Sequence, residues 1–198
     1  MISKNILKLQ TLAQSPYFTV EDLAESLGIK LESARVFCSR YVKKKILLKL
    51  KNNYYSSGQR WESNNRDEFL KIANILQVPS YISLQTALVY YEVTTQIQRN
   101  FFESVCLKRT QKLEIKDTIF NYYKLNKQYY FDFIKKDGIF IASKEKAFLD
   151  AMYLYSFGKY KLDFNALDFN KLEKTKIKKL IEVYPEKTLK IVGKLCKI

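Results

Sequence analysis

The chain has 198 residues, with 35 lysines and arginines against 20 acids, no histidine, three cysteines and five glycines. That length holds one large domain or two small ones, and 47% apolar and 15% aromatic content reads as a folded globular protein with a real core. The lack of histidine removes Ser-His-Asp and Cys-His nucleophile systems and the usual zinc sites. Scattered glycines build neither a P-loop nor a dinucleotide fingerprint.

Cys38, Cys106 and Cys196 are odd in number and without C-x-x-C spacing, so buried free thiols are expected, not a disulfide framework or a metal site. No cofactor is implied. Apolar runs fall short of a membrane span, and Lys4, Lys8 and Gln10 break any signal core near the start, so a cytoplasmic protein without membrane contact is expected. The net charge of +15 is uneven. Residues 1–60 contribute +7, residues 61–170 only +2 and residues 171–198 +6. A basic excess favours a polyanionic partner, because each phosphate contact releases condensed counterions. The alternative is compositional, since 29 of the 35 basic residues are lysine.

Ile2, Ile6, Leu9 and Leu12 recur at helical spacing, which predicts a helix over 2–14 stopped by Ser15-Pro16. Thr19 stands where an N-cap would, with Asp22 at the third position, a near-match to a capping box. The helix that follows, about 20–27, ends at Gly28, which can close it in the left-handed conformation. A third helix is predicted over 31–44. At 100° per residue it buries Leu31, Ala34, Phe37, Cys38, Tyr41 and Val42, and exposes Glu32, Ser33, Arg35, Val36, Ser39, Arg40 and Lys43. After Lys43-Lys44-Lys45, two apolar runs flank Asn52-Asn53, as expected of a β-hairpin whose turn needs positive φ.

Helix, helix, glycine turn, helix and hairpin is the order of a winged helix-turn-helix, and residues 18–29 and 43–47 resemble that family. Lys45 stands where a glycine is more usual. The resemblance implies a DNA-binding domain over 1–58, with Lys30, Ser33, Arg35, Val36, Ser39, Arg40 and Lys43 on the recognition helix and Lys44, Lys49, Lys51 and Asn52 on the turn and wing. A winged helix used only for protein contact is the alternative.

Residues 57–66 are polar and read as a linker. A helix at 66–76 places Phe69, Ile72, Ala73 and Leu76 on one face. Val78-Pro79 ends it, and Ser80 or Ser83 caps another helix, about 83–92. Segments near 101–108, 118–125, 128–134 and 139–142 have strand composition, with turns at Asn126-Lys127 and Lys136-Asp137-Gly138. Ser143 begins a further helix, and two basic helices, about 169–183 and 186–197, close the chain. The expected fold class is α+β: a winged helix, then a mixed domain over 66–198 with a small sheet and flanking helices.

Residues 79–88 (Pro-Ser-Tyr-Ile-Ser-Leu-Gln-Thr-Ala-Leu) and 141–150 (Ile-Ala-Ser-Lys-Glu-Lys-Ala-Phe-Leu-Asp) resemble, in that order and behind a winged helix, two segments of AbiEi-type antitoxins. Two departures stand out: Tyr91-Glu92 where the family often has His-Gly, and Asn52-Asn53 where it has Arg-Gly. The resemblance implies a bacterial antitoxin and transcriptional autoregulator. Such a protein binds double-stranded DNA at inverted repeats in its own promoter and counteracts a nucleotidyltransferase-like toxin.

These motif residues also read as ordinary structure: Tyr81, Ile82, Leu84, Ala87 and Leu88 as core, Ser83 and Ser143 as caps, and Lys146 with Asp150 as an i,i+4 pair worth ~0.3 kcal/mol. The tyrosine doublets at 54–55, 90–91, 122–123 and 129–130 read as packing. Lys171, Lys174, Lys176, Lys178 and Lys179 form a solvated face, add phosphate contacts, or meet an acidic partner. An enzyme is not expected, because Asp132, Asp137, Asp150, Asp163 and Asp168 show no D-x-D spacing and no Gly-Ser pair occurs. A stand-alone regulator without a toxin, and an RNA-binding or scaffold protein using the C-terminal helices, remain alternatives.

Overall fold

The computed structural model of the chain describes residues 11–197. It is an α+β structure in two compact units, residues 1–72 and 73–198. Most of the helix predicted over 2–14 lies outside the described residues; its end, Thr11–Ala13, closes with bonds from the Gln14 and Ser15 amides to the Thr11 and Leu12 carbonyls.

In the first unit, β1 (Phe18–Thr19) leads into α1 (Val20–Leu27). The Thr19 hydroxyl accepts from the Asp22 amide while the Asp22 carboxylate accepts from the Thr19 amide, so two orphan donors of the first turn are satisfied. Gly28, at φ +67, ends α1 in the left-handed conformation. α2 (Leu31–Lys43) has the two faces its periodicity requires: Ala34 and Cys38 are fully buried, with Leu31, Phe37, Tyr41 and Val42 packed partly buried around them. At its end the Ile46 amide bonds the Tyr41 carbonyl and the Lys45 amide bonds the Val42 carbonyl, a Schellman closure with Lys45 in the left-handed region at φ +59. Lys45 therefore occupies a conformation that glycine adopts without steric cost.

β2 (Leu47–Lys51) and β3 (Tyr54–Ser57) form the hairpin, joined by Asn52-Asn53 with Asn53 at φ +69; the sheet order is β1-β3-β2, all antiparallel. Register skips Leu50, a bulge that turns its side chain into the core between Lys49 and Lys51. Phe18, Val20, Leu23, Leu47 and Tyr55 complete that core.

The expected linker is in fact structured. Ser57 caps α3 (Gly58–Ser63) through a bond from the Arg60 amide, and Trp61, only 2% exposed, meets Phe69 edge-on. Arg60 pairs with Glu68 and donates from Nε to the Gln14 carbonyl at 2.7 Å. α4 (Arg66–Leu76) follows, and the division between the two units falls within it.

The second unit is built on a six-stranded mixed sheet of order β6-β7-β5-β4-β9-β8. Its strands are β4 (Ser80–Ile82), β5 (Phe101–Cys106), β6 (Gln111–Ile115), β7 (Thr118–Lys124), β8 (Phe133–Lys136) and β9 (Ile139–Ala142). β5 pairs β7 in parallel and β4 antiparallel, and β4 meets β9 in parallel. Four expectations are corrected. Ser80 starts a strand, not a helix, and α5 spans only Leu84–Tyr90. β6 is an additional strand. Asn126 leads into a 3₁₀ turn at Lys127–Tyr129, so β8 begins at Phe133. The Asp137-Gly138 turn is present, both residues at positive φ. α6 (Lys144–Ser156), capped by Ser143, is buried nearly all round, which marks a helix enclosed by its domain. α7 (Lys174–Ile181) and α8 (Glu186–Cys196) pack on it.

Candidate nucleic-acid interface

The exposed arc of α2 carries the predicted residues. Ser33, Arg35, Val36, Ser39, Arg40 and Lys43 are all solvent-exposed, and Lys30 is exposed at the N-cap position. At 100° per residue the six positions from Ser33 to Lys43 cover about 160° of the helix. Lys44, Lys49 and Asn52 are exposed as well, but Lys51 is half-buried, with its ammonium 4.3 Å from the centre of the Tyr54 ring. Arg35, Arg40, Lys43 and Lys49 form no ion pair among the described residues. Unneutralised cations on a convex helix and its adjoining hairpin are what a phosphate backbone binds.

Sequence reasoning missed Glu21. Its carboxylate accepts from Asn53 Nδ2 at 2.5 Å, while the Asn53 carbonyl accepts from the Val20 amide at 3.3 Å, so the hairpin turn is tied to the first turn of α1. The Asn53 bond, with a smaller contribution from the charge of Arg35, holds the Glu21 carboxyl below its usual range. Beneath the interface, burial pushes the Cys38 thiol up to about 11, which leaves it unreactive.

The C-terminal lysines do not act as one cluster. Lys176 bridges Asp132 at 3.1 Å and Glu145 at 3.6 Å, and Lys171 bonds the Glu92 carbonyl at 2.9 Å, so both are engaged within the second unit. Lys174, Lys178 and Lys179 are exposed and form no ion pair among the described residues.

Segments 79–88 and 141–150 meet in space. Asp150 and Lys146 form the i,i+4 ion pair their spacing predicts, and it is wholly buried, so it weighs more than the ~0.3 kcal/mol of a solvated helix pair. The Tyr81 and Ser83 hydroxyls donate to Asp150 Oδ2 at 3.0 and 2.7 Å. Lys146 Nζ donates to the Tyr184 hydroxyl at 2.9 Å and lies 4.9 Å from the Phe131 ring centre. Burial pushes the Lys146 ammonium below the usual lysine range, and the Asp150 charge opposes that shift. Ser83 thus stands at the N-cap position of α5 but spends its hydroxyl on Asp150. A second buried carboxyl, Glu103 on β5, accepts from the Tyr160 hydroxyl at 2.8 Å, and burial raises it to about 7. The first constellation ties β4 and the residue after it to α6, and the second ties β5 to the loop that follows α6.

Among the described residues no group of three or more potential ligands could hold a metal ion, and no helix is long and apolar enough to cross a membrane. No protein-family model matches the chain, and no curated protein is similar to it in sequence. Among solved structures, the crystal structure of the RV2827C protein from Mycobacterium tuberculosis matches with a TM-score of 0.61 at 9% identity, covering 95% of this chain and 74% of that one. At that identity the two chains are alike in fold.

Proposed function

We propose that this chain is a non-enzymatic, cytoplasmic transcriptional autoregulator that binds double-stranded DNA at inverted repeats in its own promoter. It also acts as the antitoxin to a nucleotidyltransferase-like toxin. The observation that carries the DNA-binding half is the outer face of α2, where Arg35, Arg40 and Lys43 stand exposed and unpaired beside Lys49 on the hairpin. In this reading α2 enters the major groove, the arginines reach base edges and the lysines hold phosphates. Lys51, stacked on Tyr54, contributes less than Lys49.

The antitoxin half rests on the resemblance to AbiEi-type proteins. What supports it is that the two resembling segments, far apart in sequence, converge on one buried constellation, Tyr81, Ser83, Lys146 and Asp150. The free lysines Lys174, Lys178 and Lys179 offer that domain a basic surface for an acidic partner.

A promoter–reporter fusion and the neighbouring gene test both halves. The chain should repress the reporter, and Arg35→Ala with Arg40→Ala should relieve repression while leaving rescue from the toxin intact. Full repression by that double variant would remove α2 from the reading; a neighbouring gene whose toxicity the chain does not relieve would remove the antitoxin half.

A further inference from the structure

The exposed arc of α2 contains one side chain that phosphate binding does not explain. Val36 is 57% exposed, more than Ile29 or Ile46, the other exposed large apolar side chains among the described residues of the first unit. It projects near the middle of the arc, one helical turn from both Ser33 and Arg40. Ile29, Glu32, Ser33, Val36, Phe37 and Arg40 line one shallow groove there, a lining that is half apolar and half polar or charged. Single exposed apolar side chains are ordinary, but this one has Ile29 and Phe37 beside it and unpaired cations on either side.

We propose that Val36 is a specificity-determining residue that reads the 5-methyl group of a thymine in the major groove. This rests on the DNA-binding reading above and names what that surface selects. The major groove offers an apolar side chain one apolar group that projects from a base edge, the thymine methyl; the other groups that distinguish the base pairs there are hydrogen-bond donors and acceptors. Glu32 in the same groove argues against a surface meant only for phosphates, because a carboxylate facing the backbone repels it. Facing base edges, it accepts from an exocyclic amine, most favourably that of cytosine. Ser33 and Arg40 frame the methyl contact, Arg40 being able to donate twice to a guanine. The surface therefore selects a half-site with a thymine opposite Val36 and polar base edges flanking it.

The test selects binding sites from a pool of random-sequence duplexes with the full-length chain, wild type and Val36→Ala. Each thymine of the selected duplex is then replaced in turn by deoxyuridine, which lacks only the methyl group. One thymine per half-site should be sensitive, with about fourfold weaker binding by the wild type, the worth of one buried methyl group. Val36→Ala should bind the thymine and uracil duplexes alike. A selected motif in which no uracil substitution weakens the wild type, or in which Val36→Ala keeps the same discrimination, overturns the proposal and leaves DNA recognition by α2 standing. Recovery of no motif at all overturns both.

Discussion

Replacing Asp150 with asparagine is the sharpest test of how the second unit is held together. The change keeps shape and, with its carbonyl in the place of Oδ2, an acceptor for Tyr81 and Ser83, but takes the Oδ1 acceptor from Tyr184 and leaves the Lys146 ammonium buried without its counter-charge. Removing one partner of a buried pair costs about 3–5 kcal/mol, roughly a 10–20 °C fall in the melting temperature of that unit. The pH dependence follows from the same charge. Lysine in the variant folds best when neutral, so its folded pKa lies below the unfolded value, and between the two the unfolded chain binds more protons. Stability of Asp150→Asn should therefore rise as pH climbs toward the unfolded lysine value of about 10.4. Lys146→Met combined with Asp150→Asn removes both charges and should recover at least half the loss. Urea unfolding followed by fluorescence measures all three. A loss below about 1 kcal/mol in Asp150→Asn, or a double variant whose loss equals the sum of the singles, would refute the account of a buried, coupled pair.

Two further outcomes are expected. Glu103 titrates at about 7 in the folded protein against an ordinary value of 4.5. The folded state binds the extra proton between those values, so the stability this group confers is complete below about 4.5 and lost as pH rises through about 7, a change of roughly 3 kcal/mol. Glu103→Gln, which keeps an acceptor for Tyr160, should flatten the melting temperature over that window; a slope unchanged from wild type would contradict it. Lys45→Gly should stabilise the first unit by about 0.5–1 kcal/mol, the relief of left-handed strain less the flexibility glycine gains when unfolded, whereas Lys45→Val should destabilise it. Equal melting temperatures for the two would show that φ +59 costs nothing there.

What was legible in the sequence was local. The capping box at Thr19, the glycine closing α1, the two faces of α2 and the Asn52-Asn53 turn each depend on residues within one or two turns of one another, and each is present. α3 was not legible because a polar stretch with one tryptophan looks like a linker until Phe69 covers that indole. β6 reads Gln-Lys-Leu-Glu-Ile, an edge strand whose solvated face dilutes the period-two signal. Spacing alone made Lys146 and Asp150 neighbours, but it could not tell which side of α6 lies inside. The apolar residues on every side of α6 were the available signal. Lys176 and Lys171 were counted as free because their partners, Asp132, Glu145 and Glu92, are distant in sequence. Glu21 and Asn53 meet across 32 positions, beyond any local pattern.

Binding of the full chain to its own upstream DNA, against scrambled DNA of equal length, at low and at physiological salt, tests DNA recognition by α2 most directly. A preference of ~10³-fold or more that survives at physiological salt is expected, with Arg40→Ala losing most of it. Equal, steeply salt-dependent binding to both duplexes would mean that the net charge of +15 acts alone, and would contradict a sequence-reading role for α2.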